Sequence, residues 1–358
     1  MPRIMRSQLP ALIPVHASPV RIELSDAERD KLADAIGASL APNTRRAYAT
    51  QLKLFESWLD AKGFPQPPWR MQASMRKPVA EEVILLWLKE RADAGASRSG
   101  LNVGYCTLLK AHAVCELAFE PSNRFKATLA GIRRGIVREE RQVAPLRGDL
   151  LAAVLDGLGS SVADAREGAM LALLYACALR RSELVGLDFE VRGSGDGVLR
   201  LTDEAIEVVL FRSKTETSGR AAPIQVPVEA NPKAASAIAR WLAVAAINRG
   251  APLFLRFNRG GGLGKRMSDG GVALAVKAAL QRHFLKSGLS PEDAKALAAT
   301  YAGHSGRVGF VVSAKEANAS DTDVAVTTRH KSLAMIGRYG KQAEQLKRAV
   351  HRIKGVGV

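Results

Sequence analysis

Four runs in the second half of the chain gather residue types able to act on an anionic oxygen-rich group. They are Leu179-Arg180-Arg181-Ser182-Glu183-Leu184, Arg212-Ser213-Lys214-Thr215, Gly303-His304-Ser305-Gly306-Arg307-Val308-Gly309 and Thr328-Arg329-His330-Lys331. Tyr339 stands nine residues beyond His330, in Ile336-Gly337-Arg338-Tyr339-Gly340. Guanidinium groups hold oxyanions through a planar fork of donors and stay charged at any working pH. A tyrosine oxygen can serve as a nucleophile when positioned and deprotonated. Each residue also has an ordinary reading: helix-end charges paired with Glu183, structural histidines, a tyrosine packed at a core rim.

Other chemistries find no support. Gly264-Lys265 carries Arg259 where a phosphate-binding P-loop needs its first glycine, and Arg266 where that loop needs Ser or Thr. Gly193-Ser194-Gly195 has no third glycine at the spacing of a dinucleotide fingerprint. There is no H-E-x-x-H, no Cys/His cluster at zinc spacing and no evident carboxylate group for magnesium. The expected reaction therefore uses no cofactor, neither metal nor ATP.

The surrounding composition agrees. Lys and Arg number 52 against 35 Asp and Glu, a formal charge of +17 over 358 residues. Both halves of the chain carry the excess, which favours a long polyanion as partner, nucleic acid before an anionic membrane. Cys106, Cys115 and Cys177 form no C-x-x-C pair and no even framework, which fits a reduced, cytoplasmic protein. No apolar run reaches the ~20 residues of a membrane span; the longest, Gly168 to Leu179, stops at Arg180. Arg3 and Arg6 ahead of Leu9–Ala17 resemble a secretory signal, but Pro10, Pro14 and His16 break the apolar stretch.

The expected fold is mainly α with a small antiparallel β-sheet, in two domains. Residues 1–24 read as a flexible tail and 25–138 as a helical domain, opened by a capping-box spacing from Ser25 to Glu28. Tyr48, Leu52, Phe55 and Leu59 form the stripe of one packed helix. Val83, Leu86 and Trp87 read as the core face of the next, with Glu90 at its exposed end, and Ser97–Leu117 and Asn123–Arg138 as two more. The charged stretch 139–147 reads as a linker. From 148 to 358 the pattern alternates: helices at 148–158 and 164–179, strands at 198–201, 206–212 and 224–228, then helices to the C-terminus. Arg180 closes the second of these helices, and Thr328–Lys331 begins another.

These boxes, in this order, resemble the tyrosine recombinase (phage integrase) family, its Cre-like members in particular. The L-R-x-[SA]-E-[LI] box, the R-[ST]-K-T hairpin, the G-H-S-x-R-V-G box and the His-to-Tyr spacing all occur, with 32 residues from Arg307 to Tyr339. The resemblance spans nearly the whole chain. It implies a helical core-binding domain followed by a catalytic domain, and a site-specific recombinase that cleaves and rejoins duplex DNA through a 3′-phosphotyrosyl intermediate. Arg180 and Arg307 would clamp the scissile phosphate, Tyr339 would attack it, and Lys214 would protonate the leaving 5′-oxygen. His304 would assist proton removal from the tyrosine or bond the phosphate, His330 would donate to the phosphate, and Glu183 would support the site.

The resemblance further implies a two-domain clamp on double-stranded DNA at an inverted-repeat site, with a homo-tetramer in the synapse. Candidate DNA contacts are Arg45, Arg46, Lys110, Arg133 and Arg134 in the first domain, and Arg212, Arg259, Lys265 and Arg266 in the second. Leu346, Val350 and Ile353 mark a terminal helix that docks on its own domain or on a neighbouring subunit. Two other functions remain open at this point: relaxation of DNA by the same phosphotyrosine chemistry, as in type IB topoisomerases, and DNA binding without catalysis.

Overall fold

A computed structural model of the chain describes residues 40–136, 142–211, 223–329 and 336–337. The chain divides into two compact units, Met1–Glu140 and Arg141–Val358. Among the described residues no helix is long and apolar enough to cross a membrane. The tail, the helix expected after Ser25 and the terminal helix of Leu346, Val350 and Ile353 lie outside the described residues.

In the first unit, Pro42 occupies the first turn of helix α1 (Pro42–Lys62), where its missing N–H is harmless. Gly63 ends that helix in the left-handed region at φ 68°. Helices α2 (Glu81–Asp93), α3 (Arg98–Val114) and α4 (Asn123–Arg134) follow. Ser97 and Ser122 cap the last two through their hydroxyls. The stripe of α1 delivers Phe55 and Leu59 to a core with Trp87, Leu88, Leu101, Leu108 and Phe125. Phe55 meets Trp87 edge-on, with ring centroids 5.1 Å apart.

The inward face of α2 differs from the expected one. Ile84, Trp87 and Leu88 are buried while Leu86 is 40% exposed. The i, i+3, i+4 spacing selects the first three, and Leu86 falls on the opposite side. Glu90 meets the end of α1, accepting from Trp58 Nε1 at 2.9 Å and from Lys62 Nζ at 2.7 Å.

The second unit is built around helix α6 (Val162–Ala176), with α5 (Gly148–Gly157) ahead of it. Residues 165–174 of α6 are buried without a break, because neighbours cover it on every side. Next come the short helix α7 (Arg181–Val185) and strands β1 (Leu187–Phe189), β2 (Gly197–Leu201), β3 (Ala205–Leu210) and β4 (Ile224–Pro227). The sheet order is β1-β2-β3-β4, with β1 parallel to β2 and the remaining pairs antiparallel. Helix α8 (Pro232–Val244) packs on α6, and a hairpin of β5 (Leu255–Phe257) and β6 (Leu263–Arg266) follows. Helices α9 (Asp269–Lys286), α10 (Pro291–Ala299), α11 (Ser305–Glu316) and α12 (Asp321–Thr328) complete the described part.

Three local expectations change. The helix through 179 ends at Ala176, and Arg180 precedes a new helix with extended backbone, φ −76° and ψ 150°. Thr328 closes α12 rather than opening a helix, and Arg329 caps it, while His330 and Lys331 lie outside the described residues. Residues 142–147 are tied into the second unit rather than hanging free. Ala144 N–H donates to Thr300 O at 3.0 Å, Leu146 N–H to Ser305 O at 2.9 Å, and Leu146 is fully buried.

Candidate active site

The C-terminal end of α6 is the foundation of the site. Helix ends expose carbonyls and carry partial negative charge, so cations settle there. Ala178 follows the helix in the left-handed region, φ 46°, and turns its carbonyl toward two guanidinium groups. Arg307 Nη1 donates to Ala178 O at 2.8 Å, and Arg329 Nη2 donates to the same oxygen at 3.3 Å.

Arg307 reaches this point because α11 lies very close to its neighbours. A Cβ on Gly306 would meet Leu174 Cβ at 2.7 Å, and one on Gly309 would meet Leu146 O at 1.7 Å. The two glycines flanking Arg307 thus let the helix backbone sit directly against α6 and residue 146. The result is a charged side chain only 1% exposed.

Arg180 and Glu183 face each other across the start of α7. Glu183 Oε2 accepts from the Arg180 backbone N–H at 2.9 Å, and Oε1 accepts from Arg180 Nη1 at 2.6 Å. Arg329 Nη2 then donates to Glu183 Oε2 at 3.0 Å. Burial alone would raise the Glu183 carboxyl; Arg329 and Arg180 outweigh it and hold the group below the usual carboxylate range. Glu183 is therefore an anion shared between two arginines. Arg180 keeps 17% of its side chain exposed. Of the two predicted clamp arginines, Arg180 is the more exposed and Arg307 the more deeply buried.

His304 precedes α11 and shares this environment. Burial, followed by the charges of Arg307 and Arg180, pushes its imidazole down to about 4. The ring is neutral at pH 7 and retains one lone pair. Arg181 points elsewhere, 3.4 Å from Asp269, with half its side chain exposed. The nearby Cys177 thiol is fully buried and pushed up to about 12, which excludes it as a thiolate nucleophile.

The structure thus brings together Arg180, Glu183, His304 and Arg307. Arg212, Lys214, His330 and Tyr339 lie outside the described residues. Arg329 belongs to the cluster, yet motif reading did not single it out. Its available signal was its place directly before His330.

The candidate DNA contacts divide. Arg45, Arg46 and Arg134 are exposed on the first unit, while Lys110 is half-buried and Arg133 lies 5.9 Å over the Tyr105 ring. Arg259 and Lys265 are exposed on the β5–β6 hairpin. Arg266, also an expected phosphate contact, turns inward. Its Nη1 donates to Val185 O and Leu187 O at 2.8 and 3.0 Å, and its Nη2 donates to Asp188 Oδ1 at 2.5 Å and Ser194 Oγ at 3.1 Å. Asp188 is fully buried and also accepts from Gly193 N–H and Gly195 N–H, both at 2.7 Å. An unpaired buried carboxylate would be costly, so the guanidinium is held inward.

A family model described as the phage integrase family matches residues 146–345, more than half of the chain. The chain is 27% identical over 335 residues to an integrase/recombinase xerD homolog of Selenomonas ruminantium, covering 91% of this chain and 89% of that protein. It is 32% identical over 180 residues to tyrosine recombinase XerD of Pseudomonas aeruginosa, covering 48% and 54%. Among solved structures, its fold is similar to the Tn1549 transposon integrase in complex with transposon right end DNA. That match has a TM-score of 0.56 and 15% identity, covering 90% of this chain and 98% of the other. It is also similar to the XerH site-specific recombinase bound to palindromic difH substrate, with a TM-score of 0.56 and 14% identity over 87% and 80%.

Proposed function

The chain belongs to the phage integrase family and is a site-specific DNA recombinase, and we propose that it acts through a covalent 3′-phosphotyrosyl intermediate on Tyr339. One observation carries the reading. Two of the sequence boxes, more than 120 residues apart, converge with Arg329 at the end of α6, where Ala178 O binds Arg307 and Arg329 and Glu183 binds Arg180 and Arg329.

Attack on a phosphodiester builds negative charge on its non-bridging oxygens. Arg180 and Arg307 supply fixed positive charge there, held by neighbours so that little reorganisation accompanies the reaction. The Tyr339 oxygen forms a bond to phosphorus as the bond to the 5′-oxygen breaks. Neutral His304 can accept the phenolic proton or bond the phosphate, and Lys214 protonates the departing 5′-oxygen. His330 donates to the phosphate. Attack by a 5′-hydroxyl reverses the step and rejoins the strand, so the bond energy stays in the intermediate.

DNA is the partner. The finer form of that statement is part of the proposal: an inverted-repeat duplex, four copies of the chain in the synapse, and action in the cytoplasm. Arg45, Arg46, Lys110, Arg133, Arg134, Arg212, Arg259 and Lys265 are the proposed backbone contacts. The test is a nicked duplex carrying an inverted-repeat target site, sought in the DNA beside the coding region. The protein should form a denaturation-resistant DNA adduct that Tyr339→Phe abolishes while DNA binding persists. An adduct that survives Tyr339→Phe overturns the assignment. Relaxation of plasmids lacking the repeats would point instead to topoisomerase-like action.

A further inference from the structure

Arg329 is a long, charged residue where a glycine would be easier. It caps α12 in the left-handed region, φ 56° and ψ 42°, with its N–H on Ala325 O and Val326 O. A non-glycine residue there carries backbone strain of roughly 1 kcal/mol or more. The side chain supplies the compensation. Only 15% exposed, its guanidinium donates to Glu183 Oε2 at 3.0 Å, Thr327 O at 3.1 Å, Ala178 O at 3.3 Å and Cys177 O at 3.4 Å.

Three of those partners, Glu183, Ala178 and Cys177, belong to the floor of the arginine site, about 150 residues back in the chain. His330 is the next residue, and Tyr339 is ten beyond Arg329. Helix α12 itself packs on α11, with Val324 and Ile336 buried against Val311. The residue therefore stands where the segment bearing the proposed nucleophile departs from the elements bearing Arg180 and Arg307.

We propose that Arg329 is a positioning residue, which acts through Glu183 to orient the Arg180 fork and, through its bonds to the helix-end carbonyls, holds the point from which the chain continues to His330 and Tyr339. This rests on the phosphotyrosyl reading above. Two effects follow from one side chain. Its charge takes part of the Glu183 carboxylate, so Arg180 is oriented without being fully neutralised. Its carbonyl contacts anchor the residue directly before His330. An anchor of this kind affects cleavage geometry more than DNA affinity.

Arg329→Gly separates this role from simple capping, because glycine suits the left-handed position while the whole side chain with its guanidinium is removed. The assay uses the same nicked inverted-repeat duplex, read as the rate of covalent adduct formation, with DNA affinity and melting temperature measured alongside. The expected result is a folded variant with affinity within about 3-fold of the parent and adduct formation slowed about 10- to 100-fold. Arg329→Lys should recover part of the rate. In an Arg329→Gly/Glu183→Gln double variant the loss should be smaller than the product of the two single losses, since the two changes share the Arg329–Glu183 contact. Adduct formation at the parental rate in Arg329→Gly, or losses that multiply in the double variant, would overturn the proposal. The parent and Tyr339→Phe are run together with these variants. Absence of a Tyr339-dependent adduct in the parent defeats the functional reading; its presence with a fully active Arg329→Gly defeats only the role of Arg329.

Discussion

Arg307 Nη1 lies 2.8 Å from the carbonyl oxygen of Ala178, across 129 residues of chain. This bond joins the end of one buried helix to the start of another and places a cation on the negative end of α6. Ala178 adopts a left-handed conformation to present that oxygen, and Arg329 shares it. The positive centre is thus assembled on backbone rather than on a loose set of surface side chains. Arg180, bonded to Glu183 across α7, has the greater exposure and the more local attachment.

That contrast predicts different consequences for the two arginines. Arg180→Gln should lower the rate of covalent adduct formation about 10²- to 10³-fold, the typical effect of removing one preorganised donor, with melting temperature nearly unchanged. Arg307→Gln should lower both rate and stability, because its side chain is buried and bonded to the helix end. Thermal melts beside adduct rates decide this, and equal melting temperatures for the two variants would contradict it.

Gly309 sets the closest approach in the site. An added Cβ meets Leu146 O at 1.7 Å, and backbone on both sides cannot yield by a side-chain rotation. Gly309→Ala should therefore displace α11 and destabilise the protein by about 2 kcal/mol or more. Gly135→Ala is the control: its nearest atom lies at 3.5 Å, and φ is an ordinary −66°. Denaturant titration of both variants should show a large shift only for Gly309→Ala.

His304 offers a pH test with a definite sign. Its folded-state pKa is lowered from 6.5 to about 4 by burial and by Arg307 and Arg180. A depressed group contributes stability above the unfolded pKa, and that contribution declines as pH falls from about 6.5 toward 4. His304→Gln should remove this part of the acid sensitivity, seen as a flatter dependence of unfolding midpoint on pH across that window. NMR titration of the ring should find it neutral at pH 6 in the DNA-free protein. A midpoint near 6.5 would show that the site does not desolvate it.

Much of this arrangement was readable from residue types and spacing, and the exceptions have physical causes. The stripe of α1, the strands at 197–210 and the Arg180, Glu183, His304 and Arg307 set follow from periodicity and from motif residues. The helix break at 177–180 was not visible, because an apolar run continuing to Leu179 gives no stop signal; Ala178 in a left-handed turn carries no glycine to mark it. The short strands β1, β5 and β6 are too brief to show alternation. Arg329 was hidden for a related reason: its partners are carbonyls and a carboxylate far away in sequence. The inward bonds of Arg266 were hidden as well: a cation beside a glycine-rich loop reads as a phosphate contact, and its anchor, Asp188, lies 78 residues away in the same unit.

Arg266 and its hairpin neighbours supply the last prediction. Arg259 and Lys265 are exposed on the hairpin, whereas Arg266 bonds two carbonyls, a hydroxyl and the buried Asp188 carboxylate. Removing Arg266 leaves Asp188 with its two glycine N–H donors and no cation, a loss of about 2–3 kcal/mol. Arg266→Ala should therefore melt earlier, and Asp188→Asn should partly restore stability in that background by removing the stranded charge. Arg259→Ala and Lys265→Ala should leave the melting temperature unchanged and weaken DNA binding across sequences. Each that touches a phosphate should also lower the slope of log affinity against log salt by about one. If Arg266→Ala instead melted like the parent while flattening the salt dependence, its guanidinium would belong to the DNA surface and not to the fold.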